Sequence, residues 1–167
     1  MANLLFFIHK ILSAIRALYT EPKSLYLIPE DDVFPNWYLI AQKEIGVKEK
    51  VGGENPRIIE YHFVTSLKAK EDEVPWCSSF VSWCLEQDGI VSARSARARD
   101  YLKWGVVLNN PIPGCIVVFS RNGGGHVAFY VSETLGSILC LGGNQKNSVC
   151  FSEYPKAQVI GYRWPKF

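Results

Sequence analysis

Apolar residues recur at three- and four-residue spacing at the start of the chain. Leu4, Leu5, Ile8, Ile11, Leu12, Ile15, Leu18 and Tyr19 form one stripe, and Asn3, Lys10, Ser13 and Arg16 fill the other side. The pattern predicts an amphipathic, cationic helix over residues 1–20. Its stripe packs on the rest of the chain or on a partner, or alternatively lies on an anionic membrane. Residues 21–35 hold three prolines and the acidic run Glu30-Asp31-Asp32 without sustained periodicity, and read as a linker. A single domain over residues 36–167 follows. Asn36 offers a cap to a helix carrying Trp37, Ile40, Ala41 and Ile45, which Gly46 ends. Asn55-Pro56 supplies a cap and a first-turn proline for a second helix with Ile58, Ile59, His62, Phe63 and Leu67. Pro75 precedes a third helix, through Phe80, Val81, Cys84 and Leu85 to about Gly89, with Trp76 and Cys77 at its N-terminus. A shorter helix is expected from Ser95 to Trp104. Beyond Pro113-Gly114 the period changes to short β-rich runs, 115–119, 126–131, 137–141 and 159–164, separated by Gly, Asn and Ser. Helices first and a meandering antiparallel sheet after them indicate an α+β fold rather than a parallel α/β sheet.

Composition narrows the classes. With 167 residues the chain can bury one core, and 48% hydrophobic against 20% charged residues excludes a disordered chain. Eighteen Lys and Arg against sixteen Asp and Glu leave a net charge of +2, too little for a dedicated nucleic-acid binder. The five cysteines, Cys77, Cys84, Cys115, Cys140 and Cys150, are odd in number and form no C-x-x-C pair, so neither a disulfide framework nor a zinc knuckle is indicated. His9, Lys10 and Arg16 interrupt the apolar N-terminal run, which does not match an export signal or a membrane span. Synthesis in the cytoplasm is therefore expected.

Three residue types then point to nucleophilic chemistry. A thiol at a helix N-terminus feels the positive end of the helix dipole, so Cys77 is the candidate nucleophile and is expected to have a lowered pKa; the alternative is a small buried hydrophobe. The other cysteines sit in apolar patterns. Of three histidines, His9 belongs to the N-terminal stripe and His62 lies mid-helix beside Ile58 and Ile59, as a structural histidine would. His126 follows Gly123-Gly124-Gly125 and opens a strand, where a ring can be fixed beside an open approach. Asn144, in Leu141-Gly-Gly-Asn-Gln145, ends the next strand and is either the group that orients the imidazole or a turn former. Arg94, Arg97, Arg99 and Lys103 form a basic cluster that holds an anionic polymer or is simply solvated. Trp76, Trp83 and Trp104 are aromatic candidates for a groove, with Trp83 placed in the core by its spacing from Phe80. No Lys-Ser/Thr follows the three glycines, which excludes a phosphate loop.

The stretches Pro75-Trp-Cys-Ser-Ser-Phe-Val-Ser-Trp-Cys84, Pro113-Gly-Cys-Ile-Val-Val-Phe-Ser120, Gly124-Gly-His-Val-Ala-Phe-Tyr130 and Leu141-Gly-Gly-Asn-Gln145 resemble the papain-like cell-wall hydrolases of the CHAP and NlpC-like superfamily. They are most similar to a small bacterial and phage branch combining PWCS, GHV and LGGNQ. The similarity runs from about Pro35 to Pro165. It implies a papain-like fold and a site of nucleophile Cys77, base His126 and orienting Asn144. It also implies an oxyanion hole from the Cys77 backbone N–H, with Gln145, Trp76 and Ser78 as further oxyanion or substrate residues. The substrate it implies is an amide of peptidoglycan, cut without metal or cofactor. A phage endolysin and a delivered antibacterial effector both fit, each acting at the periplasm or cell wall, and an effector would carry a cognate inhibitor protein as partner. The alternatives are a non-catalytic wall- or membrane-binding module, and a cysteine hydrolase acting on another amide.

Overall fold

The computed structural model describes residues 34–121 and 123–167. The helix expected over residues 1–20, its membrane contact and most of the expected linker lie outside the described residues. Phe34 and Pro35 are already part of the domain: the Phe34 ring stacks on Tyr38 at 4.1 Å, and the Pro35 carbonyl accepts from the Tyr38 and Leu39 amides. Three α-helices follow, α1 (Asn36–Lys43), α2 (Pro56–Phe63) and α3 (Cys77–Gln87), and then a 3-10 segment, Ala98–Lys103. Six strands complete the chain: β1 (Val106–Leu108), β2 (Ile116–Arg121), β3 (Gly124–Glu133), β4 (Ser137–Gln145), β5 (Ser148–Pro155) and β6 (Val159–Trp164). They form one antiparallel sheet in the order β1-β6-β2-β3-β4-β5. This is the α+β arrangement expected, helices before sheet.

Local chemistry explains the differences in detail. Asn55 caps α2 as expected, its Oδ1 accepting from the Arg57 amide at 2.9 Å. That helix ends at Phe63 rather than Leu67, because the Thr65 hydroxyl donates to the His62 carbonyl and the Ser66 amide donates to the Arg94 carbonyl. Asn36 is the first residue of α1, and Pro35 occupies the cap position. The helix expected over 95–104 is a 3-10 turn starting at Ala98. The Ser95 hydroxyl accepts from the Arg97 amide and donates to Asp100, holding the backbone in a local turn. Two strands were not legible. β1 has three residues and stands at an edge, and β5 alternates polar residues on its open face. The β4–β5 turn uses Lys146 and Asn147, both at positive φ (55° and 60°), without the glycine that marks most tight hairpins.

Helix α3 is the centre of the core. Every residue from Cys77 to Leu85 is buried, with β3 and β4 on one side and α1 and α2 on the other. An apolar element buried all round shows little amphipathic contrast, yet it fixes the site by fixing the helix. The closest approach is at Gly143 in β4. A Cβ there would stand 2.5 Å from the Trp76 ring and 2.6 Å from the Phe80 Cβ, so only glycine lets the strand lie on the start of α3. His62 is buried and shares a 3.0 Å hydrogen bond with the Ser79 hydroxyl, the structural role its spacing suggested.

Candidate active site

The start of α3 and the facing ends of β2, β3 and β4 enclose a cavity of about 740 Å³. Cys77, His126 and Asn144 all line it, together with Arg97, Arg99 and Arg121. Helix α3 supplies Cys77, β3 supplies His126 two residues after the Gly123–Gly124 turn, and β4 supplies Asn144. The fold therefore brings together the three residues singled out from separate motifs.

The hydrogen bonds on the imidazole redistribute the expected roles. His126 Nε2 lies 3.1 Å from Gln145 Oε1, and the Tyr154 hydroxyl donates to the same oxygen at 2.9 Å while standing 3.1 Å from Nε2. Gln145 Nε2 donates to the Cys150 carbonyl, which fixes the amide with its oxygen toward the ring. An amide oxygen only accepts, so the ring nitrogen facing it must carry the proton. The neutral imidazole is consequently the Nε2–H tautomer, with a bare lone pair on Nδ1. That Nδ1 is buried and makes no hydrogen bond among the described residues.

Several expectations are corrected by this arrangement. The group that orients His126 is Gln145 rather than Asn144. The ladder shifts register between Gly142 and Gln145, and Asn144 takes the left-handed conformation at φ 53°, so the side chain that returns beneath the sheet to the ring is the next one. Gln145 turns its amide oxygen to the ring and its amide nitrogen to the Cys150 carbonyl, and it does not line the cavity that holds Cys77. The Ser78 hydroxyl is also committed, donating to the Ser95 carbonyl at 2.6 Å. Trp76 is fully buried, packs against Tyr61 and Phe80, and donates to Glu49, so it supports the site from behind without lining it. Trp83 is in the core as expected. Of the basic cluster, Arg94 is paired with Glu86 and Lys103 lies outside the cavity, whereas Arg97 and Arg99 face it. Tyr154 and Arg121 were missed. Their signal was the alternation within β5 and the end of β2, where one polar residue per strand turns toward the site.

The electrostatics reverse another expectation. Burial pushes the Cys77 thiol up, opposed by hydrogen bonds from the Val127, Ser78 and Cys77 amides and by the Arg121 charge. Desolvation thus outweighs the helix N-terminus that was expected to lower this pKa. Burial, reinforced by the Arg121 charge and offset in part by Gln145, pushes the His126 imidazole down to about 3. The resting pair is neutral thiol and neutral imidazole. All five cysteines are free thiols, and burial also raises Cys84, Cys115 and Cys140. No group of three or more His, Cys, Asp or Glu among the described residues is placed to hold a metal ion.

Two measurable consequences follow from these bonds. Gln145→Ala is expected to lower kcat/KM more than Asn144→Ala, by a factor below the 10²–10⁴ that a general base supplies, since it misorients the ring without removing it. Equal effects in steady-state kinetics would return the orienting role to Asn144. The second consequence concerns acid stability. His62 and His126 both have folded pKa values below the ordinary 6.5, so the unfolded chain binds more protons as pH falls, and folding stability declines from pH 6.5 downward. Glu44 and Glu86, lowered by Arg57 and Arg94 respectively, add their loss only below about their ordinary 4.5. Denaturant unfolding should therefore show lower stability at pH 5.5 than at pH 7; a stability that holds or rises over that interval contradicts the buried neutral histidines.

Residues 69–144 match the family model of the CHAP domain, the family suggested by the sequence motifs. The matched segment holds Cys77, His126 and Asn144 and stops one residue short of Gln145. No curated protein matches the chain. CHAP domains are in general amidase or peptidase domains acting on peptidoglycan.

Proposed function

We propose that this chain, with a CHAP domain at residues 69–144, is a cysteine amidohydrolase that cuts an amide bond of peptidoglycan through Cys77. The observation that carries the reading is the His126 ring, which lines the same cavity as Cys77: its tautomer is set by Gln145, and its buried Nδ1 has no partner among the described residues.

In the reaction, His126 Nδ1 takes the thiol proton as Sγ attacks the amide carbonyl. The imidazolium that forms keeps its Nε2–H on Gln145 Oε1. Collapse of the tetrahedral intermediate breaks the C–N bond, with the leaving nitrogen receiving the proton from Nδ1, and leaves a Cys77 thioester. Water, deprotonated by the same nitrogen, then attacks the thioester carbonyl, and cleavage of the C–S bond releases the acid while Nδ1 returns its proton to Sγ. Because the resting pair is neutral, the proton moves during attack, and the positive charge on Arg121 favours the developing thiolate. The Cys77 backbone N–H at the start of α3 is the oxyanion donor assigned here. A phage lysin and a delivered antibacterial effector would both use this chemistry.

Digestion of purified peptidoglycan with the full chain, followed by mass spectrometry of the soluble fragments, tests the reading and identifies the bond. New amine and carboxyl ends at one amide position are expected. Intact wall material after digestion with folded protein would refute it.

A further inference from the structure

The cavity around Cys77 is far more basic than the chain. Over the whole sequence Lys and Arg exceed Asp and Glu by only two, yet three guanidinium groups, Arg97, Arg99 and Arg121, line this one cavity against a single carboxylate, Asp100. The Cys77 thiol and the His126 imidazole, both neutral, add no charge to that balance. Nor are the three equivalent. Arg99 is a strut, its Nε donating to the Gly124 carbonyl at 3.0 Å and an Nη to the Ser120 hydroxyl at 3.1 Å, which ties it to the β2–β3 hairpin. Asp100 is held by the Ser95 hydroxyl at 2.6 Å. Arg97 makes no side-chain hydrogen bond among the described residues. Arg121 spends one Nη on the Tyr154 hydroxyl at 3.0 Å and lies over that ring at 5.3 Å, and the other donors of its fork make no hydrogen bond among the described residues. Unused guanidinium donors in a cavity of this size match the planar, bidentate geometry of a carboxylate on a small peptide.

We propose that this cavity selects peptides with a free carboxylate beside the amide to be cut, and that Arg97 and Arg121 read that carboxylate. The inference rests on the reading of Cys77 as the amide nucleophile and narrows its substrate to acidic stem peptides. Such peptides carry candidate carboxylates at two kinds of place, the α-carboxyl of a γ-linked glutamate and the carboxyl of the following residue, and either is abolished by amidation.

The test uses the full chain carrying Cys77→Ala and three synthetic stem tripeptides: one with both carboxyls free, one amidated at the glutamate, and one amidated at the C-terminal residue. Calorimetric titration should show the free acid binding about tenfold or more tightly than one of the two amides, the scale of a lost charged hydrogen bond. Which amide is weaker identifies the carboxylate read. Arg97→Gln in the same background should erase that difference, and Arg121→Gln should reduce it, with circular dichroism confirming that each variant is folded. Equal affinity for all three peptides, including no measurable binding of any, overturns the proposal, as does a preference that survives both arginine variants. Turnover by the wild-type chain separates the two readings. Cleavage with the same kcat/KM on free acid and amides keeps the hydrolase and overturns carboxylate selection. Selective binding without cleavage leaves selection standing and defeats the hydrolase.

Discussion

Replacing Cys77 by alanine should abolish release of fragments from peptidoglycan while leaving the chain folded. The side chain is small and buried, and its loss removes a sulfur held by the Val127 amide but no large apolar contact, so the fold is expected to survive. None of the other four cysteines lines the cavity to take its place. The other three buried thiols are pushed up by burial, and Cys150, on β5, lies against the Gln145 carbonyl with its Sγ at 3.2 Å. His126→Ala should lose about 10²–10⁴ in kcat/KM, the range of a positioned base, and the double variant should lose little more than Cys77→Ala alone because the two groups act as a unit. Wild-type rates from folded Cys77→Ala, measured on the same wall preparation, would remove Cys77 from the chemistry.

Trp76→Ala should produce the largest loss of stability among single changes near the site, about 3–5 kcal/mol, the scale for truncating a fully buried Trp. The ring fills the space between Tyr61, Phe80 and the backbone of Gly143, and its indole N–H donates to Glu49 at 2.9 Å. Removing it opens a cavity directly behind Cys77 and leaves the Glu49 carboxylate without that donor. Glycine at position 143 cannot fill the hole, since it has no side chain. Chemical denaturation of Trp76→Ala and wild type in parallel gives the number; a loss below about 1 kcal/mol would show that the strand collapses onto the helix without cost. Activity should fall as well, because the residue that follows is the proposed nucleophile.

The sequence made the larger choices legible because they depend on local signals. The change from three- and four-residue spacing to short β runs after Pro113-Gly114 marked the α+β order, and Asn55-Pro56 marked a helix start that the Asn55 side chain indeed caps. Cys77 and His126 stood out because a helix N-terminus and a glycine turn before a strand are visible in a single line of letters. What stayed hidden depends on register and burial. Whether Asn144 or Gln145 faces the ring is decided by a shift in the β4–β5 ladder, and a one-residue difference in a strand swaps faces. Tyr154 lies 28 residues beyond His126 and meets it only because β4 stands between them in the sheet order. The sign of the Cys77 shift was misjudged for a similar reason: the helix dipole is readable from position, whereas the depth of burial that outweighs it is a property of the whole fold.

The division of the site between a helix and a later sheet also bears on when the chemistry can begin. A ribosome releases Cys77 and its helix before β3 has been made, so the nascent chain carries a thiol with no base beside it. Even a chain extended past His126 still lacks Gln145, the Cys150 carbonyl and the Tyr154 hydroxyl, the groups that hold the ring with its lone pair on Nδ1. On the proposed reading, hydrolytic competence thus waits for β5, and until that strand pairs the nascent chain holds a thiol and an imidazole without the bonds that would let them act together.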